Sequence, residues 1–191
     1  MRVLPTAIPD VKLVEPATWR DSRGYFFESF RSDRYGAAGI TGPFVQDNQS
    51  FSRRGVLRGL HYQWPDNVQG KLVSVALGAV WDVAVDIRRG SPTFGKWVAA
   101  ELSSDNHHQL WIPPGFAHGF AVLSEEALVT YKCTAFYSPH DEVSIRWNDP
   151  SLDVHWPLSQ PLVSDKDARA PLLSALPPDC IPQYAYHTNR F

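Results

Sequence analysis

Apolar and polar side chains alternate with a period of two through much of this 191-residue chain. In KLVSVALGAVWDVAVDI, Val73, Val75 and Leu77 alternate with Ser74, Ala76 and Gly78, and Trp81, Val83, Val85 and Ile87 alternate with Asp82, Ala84 and Asp86. Successive side chains of a strand point to opposite faces, so the pattern predicts two strands meeting near Gly78. Further strands are predicted over 25–30, 56–63, 96–102, 108–113, 118–124, 127–137 and 143–147, most of them separated by turn clusters such as RRGSPTFG, SSDNH, PPG and SEE. A helical turn is predicted for RSDRYGAAG (31–39), with SPHDE and the stretch after Ser164 as further short helices. Many short strands joined by tight turns imply an all-β fold, a double-sheet jelly roll with a few short peripheral helices.

The composition, 43% hydrophobic and 13% aromatic, allows one substantial core, and the length suits a single domain over 1–191. The proline-rich end, from about 176, reads as a peripheral tail. A formal net charge of −2 supplies no basic field for nucleic acid, so an anionic ligand has to be held by local cations. Two cysteines, Cys133 and Cys180, are a reduced-compartment pattern rather than a disulfide framework. No stretch reads as a secretory signal or a membrane span. The expectation is a cytoplasmic protein that binds neither nucleic acid nor membrane.

The stretch GVLRGLHYQ puts Arg58 and His61 inside a predicted strand. A metal-holding jelly roll takes a His-x-His pair and a carboxylate from one strand pair, and a further histidine after a Pro-x-Gly turn. Here His118 follows PPG, but Gln63 stands where the second histidine belongs and Lys71 lies near the position of the carboxylate. An ammonium repels a cation, and two histidines leave it under-coordinated, so no metal and no cofactor are expected. His107 and His108 are adjacent and read as a polar turn.

The same residues suit acid-base chemistry. His61 can serve as a general base and Lys71 can neutralise a developing oxyanion, a pairing that fits proton abstraction beside a carbonyl. Tyr131 reads more readily as a core aromatic of its strand than as a phenolic acid, and His61 equally as a base or as a satisfied interior histidine. Arg23 reads either as a diphosphate ligand or as a turn residue paired with Asp21. Strict alternation sets Arg58 on the face opposite His61 unless a bulge intervenes, and Gly59 permits one.

The series DSRGYFFESF, VQDNQSFSRRGVLRGLHYQ, QGKLVSVALGAVWDVAVDIRRGSPTFGKW, WIPPGFAHGF, YKCTAFYSPHDE, WNDPSLDVHWP and SDKD, running through residues 4–175, resembles the dTDP-4-dehydrorhamnose 3,5-epimerases, metal-free cupin-type enzymes with a double-stranded β-helix fold. The resemblance implies His61 as general base, Asp167 as the carboxylate that orients it, Tyr131 as the acid on the other face and Lys71 as the cation at the ketone oxygen. It implies Arg23, Glu28, Gln46, Asp47, Asn48, Arg58, His118, Glu142 and Lys166 as substrate-binding positions, and Tyr137 as the aromatic that stacks on thymine. Gln49 stands where such enzymes frequently carry histidine. It further implies a homodimer with an exchanged N-terminal strand, in which Arg23 reaches the partner's site.

The activity so implied is epimerisation of dTDP-4-dehydro-6-deoxy-D-glucose at carbons 3 and 5, giving dTDP-4-dehydro-L-rhamnose in rhamnose biosynthesis. The alternatives are epimerisation at one carbon only, for a deoxysugar antibiotic, a metal-dependent dioxygenase or isomerase of the same fold, and a non-catalytic sugar-nucleotide binding protein.

Overall fold

The alternating segments pair into two antiparallel sheets in the computed structural model, which describes residues 1–184. One sheet has the order β1 (Arg2–Leu4), β2 (Lys12–Glu15), β10 (Gln109–Ile112), β7 (Lys71–Leu77), β12 (Glu126–Cys133), β5 (Gln46–Arg53). The other has the order β13 (Glu142–Ser144), β6 (Leu57–Gln63), β11 (Phe116–Val122), β8 (Ala79–Asp86), β9 (Trp97–Ser103). A separate hairpin, β3 (Thr18–Asp21) with β4 (Gly24–Phe27), pairs with neither. Two short helices, α1 (Ser32–Ala37) and α2 (Asp165–Arg169), complete the jelly roll.

Side chains from both sheets meet between them: Val73, Val75, Leu110, Ala127 and Val129 from the first pack with Val80, Ala84, Leu102, Phe116, Phe120 and Val122 from the second. Burying a side chain of this size is worth about 1.5–3 kcal/mol, so this layer dominates the stability. The outer face of the second sheet is covered as well, with Leu60, Tyr62, Val83, Val85 and Ala117 under Leu152, Leu173 and Ile181. The outer face of the first sheet packs Val14, Leu72 and Trp111 against Tyr35 and Ile40 around α1.

The chain passes from one sheet to the other at Gly78, whose φ is +77° and where a Cβ would lie 2.0 Å from the Glu126 carbonyl oxygen. Glycine is required there on both counts. The strands that meet at Gly78 therefore belong to different sheets rather than to one hairpin.

Several expected boundaries move, each for a hydrogen-bonding reason. The strand expected over 127–137 ends at Cys133, because the next backbone groups are taken by side chains: Gln69 Nε2 donates to Ala135 O (2.7 Å), Gln63 Nε2 donates to Phe136 O (3.0 Å), and Ser138 N donates to Gln63 Oε1 (2.8 Å). The strand expected over 25–30 ends at Phe27, and Ser29 O instead accepts Tyr35 Oη and Gln109 Nε2. SPHDE is a turn rather than a helix, drawn against β6 by the bond from Trp64 N to Asp141 O (2.9 Å). The helix expected after Ser164 is α2, with Ser164 Oγ capping it by accepting Asp167 N. Four strands, β1, β2, β3 and β5, are additional to those expected.

The described part of the tail lies along β6: Tyr62 Oη donates to Cys180 O (2.7 Å), Trp64 Nε1 donates to Asp179 O (2.9 Å) and Ile181 is buried. Residues 185–191, the remainder of the tail singled out in the sequence, lie outside the described residues.

Candidate active site

The inward face of a jelly-roll strand is ordinarily its apolar phase, but at one end of this barrel the phase is polar. On β8, Asp82 points inward with Val80 and Ala84. On β5 the half-buried or buried positions are Gln46, Asn48, Ser50 and Ser52, while Phe51 is exposed. With Lys71 of β7, His118 of β11 and Tyr131 of β12, these residues form a polar end continuous with the hydrophobic layer.

His61 and Arg58 face one cavity of about 550 Å³, which Lys71, His118, Tyr131 and Asp167 also line. The bulge that Gly59 permits is present. His118 pairs with His61 and Phe120 with Arg58, so one extra residue of β6 is accommodated opposite Gly119. Gly59 has φ +121°, and a Cβ there would lie 2.6 Å from Gly119 Cα and 2.7 Å from His118 O. The two strands approach too closely for any side chain at this point, and the bulge re-aims Arg58 toward the side of His61.

His61 Nε2 lies 2.6 Å from Asp167 Oδ1, and Asp167 Oδ2 accepts Gly59 N at 3.3 Å. Burial pushes the Asp167 carboxyl up, but the bonds from His61, Gly59 and Ser164 outweigh it and hold the group below the usual carboxylate range. An ionised Asp167 accepting the Nε2 proton leaves the Nδ1 lone pair as the basic position of His61.

Burial lowers the Lys71 ammonium from its ordinary value, against the opposing influence of Cys133, Asp82 and Glu142. Burial raises the Tyr131 phenol, which is therefore protonated at neutral pH. His118 Nε2 lies 2.8 Å from Asp82 Oδ1, and both side chains are buried. Asp82 is a site residue that the sequence reading missed. The signal was an acid in the phase opposite to Val83 and Val85, and it became interpretable only once that phase proved to face inward.

A smaller cavity, about 230 Å³, shares His61, Lys71 and Tyr131 with the first and adds Gln46, Asn48, Gln63, Tyr137 and Glu142. Tyr137 is half exposed at its rim (51%), its N–H donates to Gln46 Oε1 (2.8 Å) and its hydroxyl donates to Glu142 Oε2 (2.9 Å). Glu142 Oε1 lies 2.6 Å from Lys166 Nζ. Burial pushes Glu142 up, but Lys166 and Tyr137 more than offset it and hold it below its ordinary value. Gln63, which stands where a metal ligand would be, holds the loop that presents Tyr137 by donating to Phe136 O and accepting Ser138 N, and its Nε2 also donates to Asn67 O. Arg58 is steadied by Ser52 Oγ (3.0 Å) and Phe51 O (3.3 Å), leaving guanidinium protons for an anion at the mouth.

Three of the expected residues lie apart from these cavities. Arg23 tips the β3–β4 hairpin, 88% exposed, and binds Asp21 through Nη2 at 2.6 Å. Glu28 pairs with Arg34 at 3.1 Å. Asp47 faces outward from β5 and pairs with Lys132 at 3.0 Å. Asp47 and Lys132 line a further hollow of about 490 Å³ on the outer side of the first sheet, together with Phe27, His107 and Gln109. His107, expected in a polar turn, follows a turn before β10, is buried and packs its ring on Tyr25 and Phe27.

A family model described as dTDP-4-dehydrorhamnose 3,5-epimerase matches residues 5–175. The dTDP-4-dehydrorhamnose 3,5-epimerase of Salmonella typhimurium is 56% identical over 175 residues, 91% of this chain and 96% of that protein. The solved structure of dTDP-6-deoxy-D-glucose-3,5-epimerase from Legionella pneumophila, in complex with dTDP-4-keto-L-rhamnose, superposes with a TM-score of 0.93 at 54% identity, covering 96% of this chain and 98% of that one. A 3'-monoepimerase from Streptomyces bikiniensis, in complex with dTDP-quinovose, superposes with a TM-score of 0.87 at 34% identity over 96% of this chain and 94% of that one.

Proposed function

Since the chain belongs to the dTDP-4-dehydrorhamnose 3,5-epimerase family, we propose that it converts dTDP-4-dehydro-6-deoxy-D-glucose to dTDP-4-dehydro-L-rhamnose by acid-base chemistry at carbons 3 and 5. The observation that carries this reading is the His61–Asp167 pair at 2.6 Å, facing the cavity that Lys71 and Tyr131 also line.

Carbons 3 and 5 flank the ketone at carbon 4, so loss of either hydrogen as a proton leaves an enolate with its charge on the carbon-4 oxygen. His61 Nδ1 takes the proton, and Asp167 stabilises the resulting imidazolium. General base help of this kind is commonly worth about 10²–10⁴ in rate. Lys71 neutralises the enolate oxygen, and the Tyr131 hydroxyl delivers a proton to the opposite face of the carbon. One pass inverts one centre and leaves His61 protonated and Tyr131 deprotonated; exchange with water takes the proton from His61 and returns one to Tyr131, and a second pass inverts the other centre. Arg58 and His118 hold the diphosphate and sugar, while Tyr137, Gln46 and Asn48 receive the nucleobase. These contacts act on the reaction by positioning.

The assembly assigned here is a homodimer in which the β3–β4 hairpin crosses to the partner. That hairpin pairs with neither sheet, exposes Trp19, Tyr25 and Phe26, and carries Arg23 away from the cavity of its own chain. An exposed aromatic ribbon of this kind calls for a partner surface. The reaction is assigned to the cytoplasm, in keeping with free Cys133 and Cys180. Among the described residues no helix is long and apolar enough to cross a membrane.

The deciding experiment is turnover of dTDP-4-dehydro-6-deoxyglucose in deuterated water containing a chelator, read by NMR. Deuterium at carbons 3 and 5 with inverted product supports the reading. Label at one carbon alone identifies a mono-epimerase, an activity that the same fold carries in the Streptomyces bikiniensis protein. No label at either carbon overturns the catalytic assignment.

A further inference from the structure

Two consecutive residues of α2 engage opposite ends of the site. Asp167 binds His61 at 2.6 Å, and Lys166 binds Glu142 at 2.6 Å. The second oxygen of Glu142 accepts the Tyr137 hydroxyl at 2.9 Å, and the Tyr137 N–H is fixed on Gln46 at 2.8 Å. A continuous chain of polar contacts thus leads from the nucleobase platform, through Glu142 and Lys166, to the helical turn that carries Asp167.

That turn is anchored at its two ends, and between them these contacts are what hold it. α2 is 5 residues long and lies outside both sheets. It is approached by an isolated bridge between Val56 and Leu162 and left by bonds from Arg146, Nε to Ala170 O (2.9 Å) and N to Pro171 O (2.9 Å), with Ala170 buried. Between those points, Asp167 on His61 and Gly59, and Lys166 on Glu142, are its ties to the sheet. Among the described residues Glu142 is the one carboxylate within ion-pair distance of Lys166. The strand β13 adds rigidity on the far side, since Glu142 pairs with Gln63 and Ser144 with His61 in its register with β6.

We infer that Lys166 and Glu142 are positioning residues for the base: by tying α2 to Tyr137 they keep Asp167 seated on His61, so that occupation of the nucleobase platform is felt in proton abstraction. Binding energy from a part of the substrate remote from the reacting carbons is then used in the chemical step, which raises kcat rather than affinity alone. The inference rests on the proposed roles of His61 as base and Tyr137 as nucleobase platform. It adds that the contacts of the nucleoside end are mechanically joined to the catalytic pair.

The test is Lys166→Met, a substitution at a side chain 51% exposed, which leaves the core intact. Steady-state kinetics and deuterium exchange at carbon 3 are measured beside the ¹⁵N resonances of the His61 ring in the substrate-free protein. The expected result is a kcat lowered about 10- to 100-fold, as for a misplaced catalytic group, together with altered His61 resonances. Lys166→Arg, and the charge swap Lys166→Glu with Glu142→Lys, are expected to restore both. A rise in KM with kcat and the His61 resonances unchanged would reduce Lys166 to a substrate contact and overturn the inference. Absence of exchange by the unmodified protein would instead overturn the proposed function, and the His61 resonances of Lys166→Met would still decide whether the tie reaches the base side.

Discussion

Asp167 Oδ1 stands 2.6 Å from His61 Nε2 across 106 residues of sequence, and this contact selects the tautomer of the imidazole. An acceptor-only carboxylate forces Nε2 to carry the proton and frees Nδ1 to receive one. Asp167→Asn offers an amide whose NH₂ can donate to Nε2 and so favours the wrong tautomer. We expect a kcat loss of about 10²–10⁴ together with a lowered thermal midpoint at neutral pH, measured by NMR turnover and calorimetry. The carboxyl titrates below its unfolded value of about 3.9, so its stabilising contribution is complete above that pH and disappears as the pH falls through the folded value. A pH-melting series should therefore show an acid loss of stability that is steeper for the parent protein than for Asp167→Asn, in which Asp86, Glu142 and Asp149 still contribute to it.

On the proposed mechanism, Tyr131→Phe removes the proton donor of the far face and leaves His61, Asp167 and Lys71 in place. Abstraction then outlasts inversion: deuterium exchanges into substrate that keeps its original configuration, while epimerised product falls steeply. Equal loss of exchange and inversion would return Tyr131 to the role of a strand aromatic packed on the core.

On the same mechanism, Lys71→Met removes the charge proposed to meet the enolate oxygen. By analogy with the loss of a single oxyanion donor, kcat should fall by about 10²–10³. Because burial lowers the Lys71 ammonium, the charged form is present at low pH and is lost as the pH rises through the depressed value. The alkaline limb of kcat/KM should accordingly lie below the ordinary lysine value of about 10.4, and Lys71→Arg should move it upward.

Gly59→Ala tests the bulge. A methyl group 2.6 Å from Gly119 Cα, on a residue with φ +121°, separates β6 from β11 at the point where Arg58 and His61 are aimed. Both stability and activity should fall, with a thermal midpoint lowered by several degrees, an effect of about 1–3 kcal/mol. An unaltered midpoint and unaltered kcat would mean that the strands shift at no cost.

Arg23 distinguishes an exchanged hairpin from an isolated chain. Mixing Arg23→Ala chains with His61→Ala chains creates heterodimers in which one site has an intact His61 and receives Arg23 from the other chain. Activity should rise above that of either variant alone after subunit exchange. Failure of complementation, with exchange verified by mass spectrometry, would show that Arg23 does not serve the partner's cavity.

The sequence by itself determined the central strands of the double-sheet core, most plainly β7 and β8, because period-two alternation marks one face of each strand for burial whatever its neighbours are. It also determined the chemical kinds present, a histidine, an ammonium, a phenol and a set of arginines, and so the class of reaction. Strand β5 was illegible, since its inner face is Gln46, Asn48, Ser50 and Ser52, and a strand that lines a cavity lacks the apolar phase by which strands are read. The N-terminal strands β1 to β3 were too short for their alternation to register.

Tertiary structure alone decided which phase of β8 turns inward, and hence that Asp82 meets His118. It decided that a bulge at Gly59 puts Arg58 on the side of His61, and that a capped turn at Ser164 delivers Asp167 to His61. The physical reason is the same in each case. Alternation is a property of neighbouring residues and survives in the sequence, whereas the meeting of a carboxylate with an imidazole depends on how the sheets cross, where a strand gains a residue and where a remote segment docks.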